Sequence, residues 1–232
     1  RSFVTNFVVF HAPGDARLFV LAKERQEWSW AEHLPHSQKD DQNEYLCFLN
    51  EIEDDPDDAA FDEDDTGALG EFLEGIRKLL ATRKIKLQDK ESEGKGNPRL
   101  PFVLVVVDML DTTYDPNSPL KDIESDPATS ILIEEGEMLG AAVVFLVPEG
   151  AKVPSGCTAI IEVERTTLAT TSRLAQDEQL RFRYAEVGVN SPRYVGDADA
   201  ITRPENMTAL AQQLASMQVR QGFGANLASG VL

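Results

Sequence analysis

The sequence is poor in the residues that usually build metal and redox sites. Its two cysteines, Cys47 and Cys157, lie far apart beside apolar residues, and neither fits a metal-binding spacing. We expect both to be reduced, buried thiols of a protein in a reducing compartment. The three histidines have no regular spacing either, so the sequence predicts no metal site.

Long apolar runs are missing as well. The longest, residues 102–107 and 141–147, are far shorter than the roughly 18 residues that cross a bilayer. Residues 1–4 contain one base but neither the apolar region nor the cleavage site of a secretion signal. We therefore expect a soluble, cytoplasmic chain without a membrane segment, which leaves any membrane anchor to other parts of a longer parent protein.

Positive charge is scarce, with 22 Lys and Arg against 40 Asp and Glu and a net charge of −18. Residues 37–66 alone hold thirteen acids and one base, Lys39. Because like charges repel one another, we expect an acidic, solvated insertion at about residues 50–66. Residues 54–65 lack the alternating ligands and central glycine of an EF-hand, which argues against calcium. The acidity also argues against DNA binding by this segment, since phosphates require clustered bases.

Strands and helices alternate along the remaining sequence. Residues 102–107 are β-formers without alternation, which predicts a strand buried on both faces. Residues 141–147 predict a second such strand, and residues 158–163 a third strand of the same group. Residues 180–187 alternate and predict a half-exposed edge strand that pairs with residues 193–195. Further strands are predicted at 18–22 and 44–49, whereas residues 2–10 fit a helix or a strand equally well.

Three helices are predicted from apolar spacing and end signals. One begins near Leu69 and carries a row of bases near its end that we interpret mainly as a solvated face: Arg77, Lys78, Arg83, Lys84 and Lys86. A second has Asp126 as its N-cap, Pro127 at its first position and Gly140 after its end. The third covers residues 204–217. This order of elements predicts an α/β fold of three layers, with a mostly parallel sheet between helices.

Several segments, read in order, resemble the FtsK/SpoIIIE family of translocase ATPases. They are FVVFHAPGDARLFVLA, EWSWAEHLPHS, LPFVLVVVD, ILIEEGEMLGAAVVFLV, RYVGDADAI and the closing ALAQQLASMQVRQGFGANLASGVL. The likeness is closest to the degenerate ATPase-like domains of the EccC/EssC-type ATPases of type VII secretion. It implies a RecA-like, P-loop NTPase-like domain over residues 1–219, and a linker at 220–232 towards a following domain.

The resemblance also shows what is missing. Active members hold ATP with the string GxxxxGK followed by Ser or Thr, and this sequence has none. Asp108 matches the Walker B aspartate on the magnesium side, but the next residue is Met109, where a working motor carries a glutamate that orients water. We therefore assign no catalytic residue, expect no bound cofactor, and regard Asp108 as a vestigial site or simply a residue that caps a turn.

Trp28, Trp30 and His36 lie in the family-like segment EWSWAEHLPHS. We interpret them either as buried anchors of the core or as a contact surface for a neighbouring domain. We favour the core, because indoles bury a large area. The leading functional hypothesis is a degenerate structural or regulatory module that contacts the neighbouring ATPase domains of its own polypeptide or binds a protein substrate or adaptor. The alternatives are the C-terminal part of an active DNA-translocating ATPase, with its phosphate loop upstream of Arg1, and an adaptor that binds basic proteins through its acidic loop.

Overall fold

The computed structural model describes residues 2–38, 44–49, 67–92, 100–110, 119–167, 178–188, 192–198 and 204–228. The predicted acidic insertion at 50–66, with its calcium alternative, lies outside these residues. Within them, no helix is both long and apolar enough to cross a membrane.

Four parallel strands form the central sheet. They are β1 (Ala16–Ala22), β2 (Leu46–Phe48), β3 (Phe102–Asp108) and β4 (Ala141–Leu146), in the order β2-β1-β3-β4. The sheet is parallel throughout, and β1 pairs with both β2 and β3. The predicted α/β fold with a mostly parallel sheet is confirmed.

Helices cover both faces of this sheet. They are α1 (Ser2–Phe10), α2 (Gly67–Ser92), α3 (Pro127–Leu139) and α4 (Pro204–Ala228). The predicted ends of α3 are confirmed, because the Asp126 carboxylate accepts a 2.7 Å hydrogen bond from the Ala128 amide and Gly140 adopts a left-handed φ of 65°. Segment 2–10, which the sequence left undecided, is a helix. Helix α4 continues well past residue 217, through most of the range predicted as a linker.

The two faces of the sheet bury separate hydrophobic clusters. One face, which we call the α2/α3 core, packs odd-numbered residues of β3 against Phe72, Ile76 and Leu80 of α2 and Leu132 of α3. The other face, which we call the tryptophan core, packs even-numbered residues of β3 against α1, α4, Trp28 and the second of two short 3-10 helices, Arg25–Glu27 and Ser29–His33. Side-chain alternation along β3 therefore decides which core each residue joins.

A second sheet stands apart from the first. Strands β5 (Ala159–Thr167), β6 (Glu178–Glu186) and β7 (Arg193–Ala198) pair antiparallel in that order. The prediction that residues 158–163 add a third buried strand to the parallel group was wrong. Ile161 is 53% exposed and Val163 is 61% exposed. Strand β6 pairs on both sides, so it is not the predicted edge strand, although its pairing with residues 193–195 is confirmed.

Strand β4 is less buried than the sequence predicted. Among the strands of the described ranges it pairs with β3 alone and forms one end of the parallel sheet. Ala141 is buried, but residues 142–146 are only half-buried. Its apolar sequence is typical of a central strand, whereas its partial solvent exposure is typical of an edge strand.

Arg83 is not part of a solvated helix face, contrary to the prediction. Its guanidinium is buried and donates 3.0 and 3.2 Å hydrogen bonds to the carbonyls of Leu139 and Gly140, and another to the Pro101 carbonyl. Burial lowers the pKa of Arg83. The side chain thus ties α2 to the C-terminus of α3, where a cation also offsets the helix dipole.

The two cysteines differ in burial. Both are free thiols, Cys47 buried and Cys157 only half-buried. Burial raises the pKa of Cys47 to about 11 and also raises the pKa of Cys157. Thiolate chemistry at neutral pH is therefore disfavoured at both positions.

Candidate functional site

A cleft lies at the carboxyl edge of the parallel sheet. Its volume is about 470 Å³, and it opens where β1, β3 and β4 end. Lys23 and Glu24 follow β1, Asp108 and Leu110 come from the end of β3, and Leu146 closes β4, with further lining from Gln26, Glu27 and Trp28. Ligands of open parallel sheets bind at this edge, so this cleft is the candidate site.

Asp108 is held at the cleft by two hydrogen bonds. Its Oδ2 accepts a 2.8 Å bond from the indole Nε1 of Trp28, and its Oδ1 accepts a 3.1 Å bond from the Leu110 amide. The second bond caps the turn after β3, as the structural alternative for Asp108 anticipated. Both carboxylate oxygens therefore already have a donor, one of them a buried ring from the tryptophan core.

Strand alternation explains why these two side chains meet. Asp108 is an even-numbered residue of β3 and emerges on the same face as Leu104 and Val106, in the tryptophan core. Trp28 is 1% exposed in that core, between the two 3-10 helices. A sharp backbone turn after β1 thus brings an indole to a carboxylate that lies 80 positions further along the chain.

Met109 lies on the opposite side of the sheet. Its amide donates a 2.8 Å hydrogen bond to the Leu146 carbonyl, and its side chain packs against the α2/α3 core. The thioether is therefore directed away from the cleft that Asp108 lines. The sequence places these two residues next to each other, but the sheet separates their side chains.

Trp30 and His36 are buried away from the cleft. Trp30 is 3% exposed and stacks on Trp28 with ring centres 6.0 Å apart. Its Nε1 has no hydrogen-bond partner among the described residues. The structure thus places Trp28 and Trp30 together but brings only Trp28 to Asp108.

His36 links the turn after α1 to the start of β1. Its Nε2 lies 2.8 Å from the His11 carbonyl, and its own carbonyl accepts a 3.0 Å bond from the Leu18 amide. Within the described part of the chain its Nδ1 has no partner. Burial lowers the pKa of His36, and the bond to the His11 carbonyl opposes that shift. This arrangement points to a structural position for His36, at the end of β1 opposite the cleft.

The described lining of the cleft does not favour a magnesium nucleotide. Among the described residues, three acids line it, Glu24, Glu27 and Asp108, against one base, Lys23, so the charge of this lining repels a triphosphate. The described ranges contain no group of three or more His, Cys, Asp or Glu side chains that could hold a metal ion. Sequence reasoning singled out Asp108 and Trp28 separately but missed the contact between them, because nothing local to either residue signals it.

Comparison with known proteins finds similarity in structure but not in sequence. No protein-family model matches the chain, and no curated protein matches it. Among solved structures, EssC (ATPases 2 and 3) from Geobacillus thermodenitrificans is similar with a TM-score of 0.53 and 12% identity, over 93% of this chain and 40% of that one. A structure of the cytoplasmic domain of EssC is similar with a TM-score of 0.47 and 13% identity, over 93% of this chain and 41% of that one.

At sequence identities this low, similarity in structure shows a shared fold and nothing about activity. The chain spans well under half of each of these EssC structures. The structure of EssC ATPases 2 and 3 is the likeness that carries weight, and it agrees with the parallel sheet, the flanking helices and the alternation of elements described above. The chain has the fold found in the ATPase region of EssC.

Proposed function

We propose that this chain is a catalytically degenerate ATPase-like module of a larger ATP-driven translocase, with a structural or regulatory role. The observation that carries the proposal is the engagement of Asp108 by Trp28 in an acidic cleft. The sequence 1–232 supplies no GxxxxGK string with a following Ser or Thr to grip phosphates. A scaffold of this kind keeps the shape of a motor domain without its nucleotide chemistry.

The partners we propose are neighbouring ATPase domains of the same polypeptide. The similar EssC structure contains ATPases 2 and 3, and this chain covers 40% of it, which is the share expected of roughly one such domain. A module of this size within a multidomain chain can transmit or restrain movements of adjacent motors. Protein secretion and DNA transport are the two classes of translocation that the fold accommodates, and the acidity of the chain favours a protein cargo.

Calorimetric titration of the chain with ATP and magnesium tests the degenerate site. We expect no saturable binding with a Kd below about 1 mM, which corresponds to a binding free energy of about −4 kcal/mol. Asp108→Asn should leave the titration unchanged, as should the control Glu149→Gln, an exposed acid beyond the end of β4. Micromolar binding that Asp108→Asn abolishes and Glu149→Gln preserves would refute the proposal.

A second experiment uses the full polypeptide. If Asp108 served catalysis, its loss would lower ATP turnover by about 100-fold or more. If the module has no chemistry of its own, Asp108→Asn should change total ATP turnover less than twofold. Circular dichroism must first show that the variant is folded. A change in the response of turnover to added cargo, with basal turnover preserved, would support a regulatory role.

The alternative is the C-terminal part of an active ATPase whose phosphate loop precedes Arg1. The observation that favours it is the half-buried edge strand β4, which has the composition of an interior strand. The sequence upstream of Arg1 discriminates between the two. A GxxxxGK string with a following Ser or Thr, ending about ten to twenty residues before Arg1, would favour the active ATPase.

A further inference from the structure

The antiparallel sheet β5-β6-β7 has two unlike faces. Residues directly opposite each other in an antiparallel ladder project from the same face. Tyr184 of β6 lies opposite Ile161 of β5 and Tyr194 of β7, and Phe182 lies opposite Val163. These five side chains form what we call the apolar face of the sheet.

The opposite face, which we call the polar face, holds charged side chains that pair with one another. The Arg183 guanidinium lies 2.8 Å from the Glu164 carboxylate and 3.7 Å from that of Glu162, and Arg181 lies 3.7 Å from Asp197. Ion pairs of this kind suit a face in contact with water. Charge on one side and apolar residues on the other are typical of a sheet that packs on its apolar side.

The apolar face is open in this structure. Among the described residues, none of its five side chains belongs to the α2/α3 core or to the tryptophan core. Ile161, Val163 and Tyr194 are each more than half exposed, whereas Phe182 and Tyr184 are half-buried. The exposed fractions amount to an apolar patch of roughly 300–500 Å², a size at which patches on soluble proteins are often functional.

Contacts within the apolar face keep it continuous. The Phe182 ring lies over Gly196 of β7, since a Cβ at that glycine would come within 2.8 Å of the ring. The rings of Tyr184 and Tyr194 are 5.9 Å apart, within the range of an aromatic pair. The three rings therefore form one surface rather than isolated exposed side chains.

The size of this patch and the charge of the chain favour an occupant from the same polypeptide. A free partner needs about 800 Å² from each side of a standard interface, which is well above the area of the apolar face. A second copy would also bring another net charge of −18 against this chain. A domain on the same polypeptide can dock on a smaller patch, because a linker raises its effective concentration to about the millimolar range. Interfaces between domains of one chain begin at about 600 Å² in total, which this patch and a matching one can supply.

We propose that the apolar face of the antiparallel sheet is the docking surface for an adjoining domain of the same polypeptide, which covers it with an apolar surface of its own. Val163 and Tyr194 become buried at this interface, and the polar face stays in water. This proposal rests on the proposed function in one respect, that the chain is a module of a longer polypeptide. It does not depend on whether the module binds or hydrolyses ATP.

Thiol labelling in the full polypeptide tests whether the apolar face is covered. In this structure Val163 is 61% exposed, and the side chain of Glu162, on the polar face, is 62% exposed. Val163→Cys and Glu162→Cys should therefore react with iodoacetamide at similar rates if neither face is covered. The rates are compared at about pH 9, above the ordinary thiol pKa, so that the charge of Arg183 has little influence.

We expect Val163→Cys to react about tenfold or more slowly than Glu162→Cys, which requires the docked state to be populated at about 90% or more. Tyr194→Cys and Arg193→Cys repeat the comparison on β7, where both residues are exposed. Mass spectrometry of the labelled peptides assigns each rate to its residue. Equal rates within both pairs would overturn the proposal.

Photo-crosslinking identifies what covers the apolar face. With p-benzoylphenylalanine in place of Tyr194, we expect cross-links to residues outside 1–232 of the same molecule. Cross-links confined to residues 1–232 would contradict the proposal. Cross-links between isotope-labelled and unlabelled copies, with protection that disappears on dilution, would assign the face to a second copy instead.

The labelling experiment and the ATP titration can fail separately. Protection of the apolar face together with micromolar ATP binding would refute the degenerate site and support the docking surface. Equal labelling of both faces without ATP binding would refute the docking surface and leave the degenerate site supported.

Discussion

The indole Nε1 of Trp28 donates a 2.8 Å hydrogen bond to Oδ2 of Asp108. This bond joins the segment after β1 to the end of β3 and occupies the carboxylate that the family resemblance assigns to magnesium. We propose that the same contact stabilises the fold and reduces what the cleft can bind. The contribution of the bond can be separated from that of ring packing by experiment. Trp30 is the matched control, because its Nε1 has no hydrogen-bond partner among the described residues.

Trp28→Phe should destabilise the protein more than Trp30→Phe. Hydrogen bonds to charged groups contribute about 1.5–3 kcal/mol, and Trp28→Phe removes one, whereas Trp30→Phe removes an N–H without a partner among the described residues. Both substitutions leave a similar void. We expect the free energies of unfolding, measured with urea, to differ by about 1–2 kcal/mol. Equal losses would show that the Trp28–Asp108 bond contributes nothing to stability.

Arg83→Met should destabilise the protein by about 2–4 kcal/mol. The substitution keeps an apolar stem but leaves the carbonyls of Leu139, Gly140 and Pro101 without their donor. Lys86→Met, on an exposed position of the same helix, is the control and should change stability by no more than about 0.5 kcal/mol. Thermal and urea unfolding measure both; a small effect of Arg83→Met would contradict its role as a link between α2 and α3.

Gly136→Ala and Gly70→Ala should have opposite effects. A Cβ at Gly136 would lie 2.7 Å from the Ala141 carbonyl oxygen, so it must displace backbone where α3 meets β4. Such overpacking costs about 1–3 kcal/mol. A Cβ at Gly70 meets nothing within 4 Å, and alanine there should stabilise α2 by about 0.5–1 kcal/mol. Urea unfolding gives both signs, and destabilisation by both changes would show that the Gly136 contact is not the cause.

Stability should fall as the pH drops below the ordinary pKa of histidine, about 6.5, partly because of His36. Burial lowers its pKa in the folded state, so the unfolded chain takes up the proton first. The contribution is complete above about pH 6.5 and is lost as the pH falls towards the folded-state pKa. Unfolding free energies at about pH 7.5 and about pH 5.5 should differ less in His36→Gln than in the wild type. His33→Gln, at an exposed position, should keep the wild-type difference.

Local signals in the sequence predicted much of the fold. The β-forming run at 102–107 and the caps Asp126 and Gly140 correspond to β3 and α3, because strand composition and helix ends depend on neighbouring residues. The prediction for residues 158–163 was wrong, because an apolar run shows that a strand can be buried but not whether another element covers it. Arg83 was predictable in principle, since it lies three residues after Leu80 on the buried stripe of α2.

The site was less accessible to sequence reasoning. Asp108 could be found from its place after a buried strand, and Met109 from its place after Asp108. The Trp28 partner could not, because 80 positions separate it from Asp108 and the sheet register brings them together. Alternation along the strand places the thioether and the carboxylate on different sides of the sheet, but the sequence could not show which of the two faces the cleft.

The odd and even positions of β3 have a consequence for how this cleft could change over evolution. Asp108 faces Trp28 only because it lies two positions after Val106 and four after Leu104, both of which are in the tryptophan core. Inserting or deleting a single residue within β3 would turn the carboxylate inward beneath α2 and α3 and present a neighbour to the indole. Point substitutions can change which side chain stands at the cleft. The face of the sheet on which that side chain lies changes only when the number of residues in the strand changes.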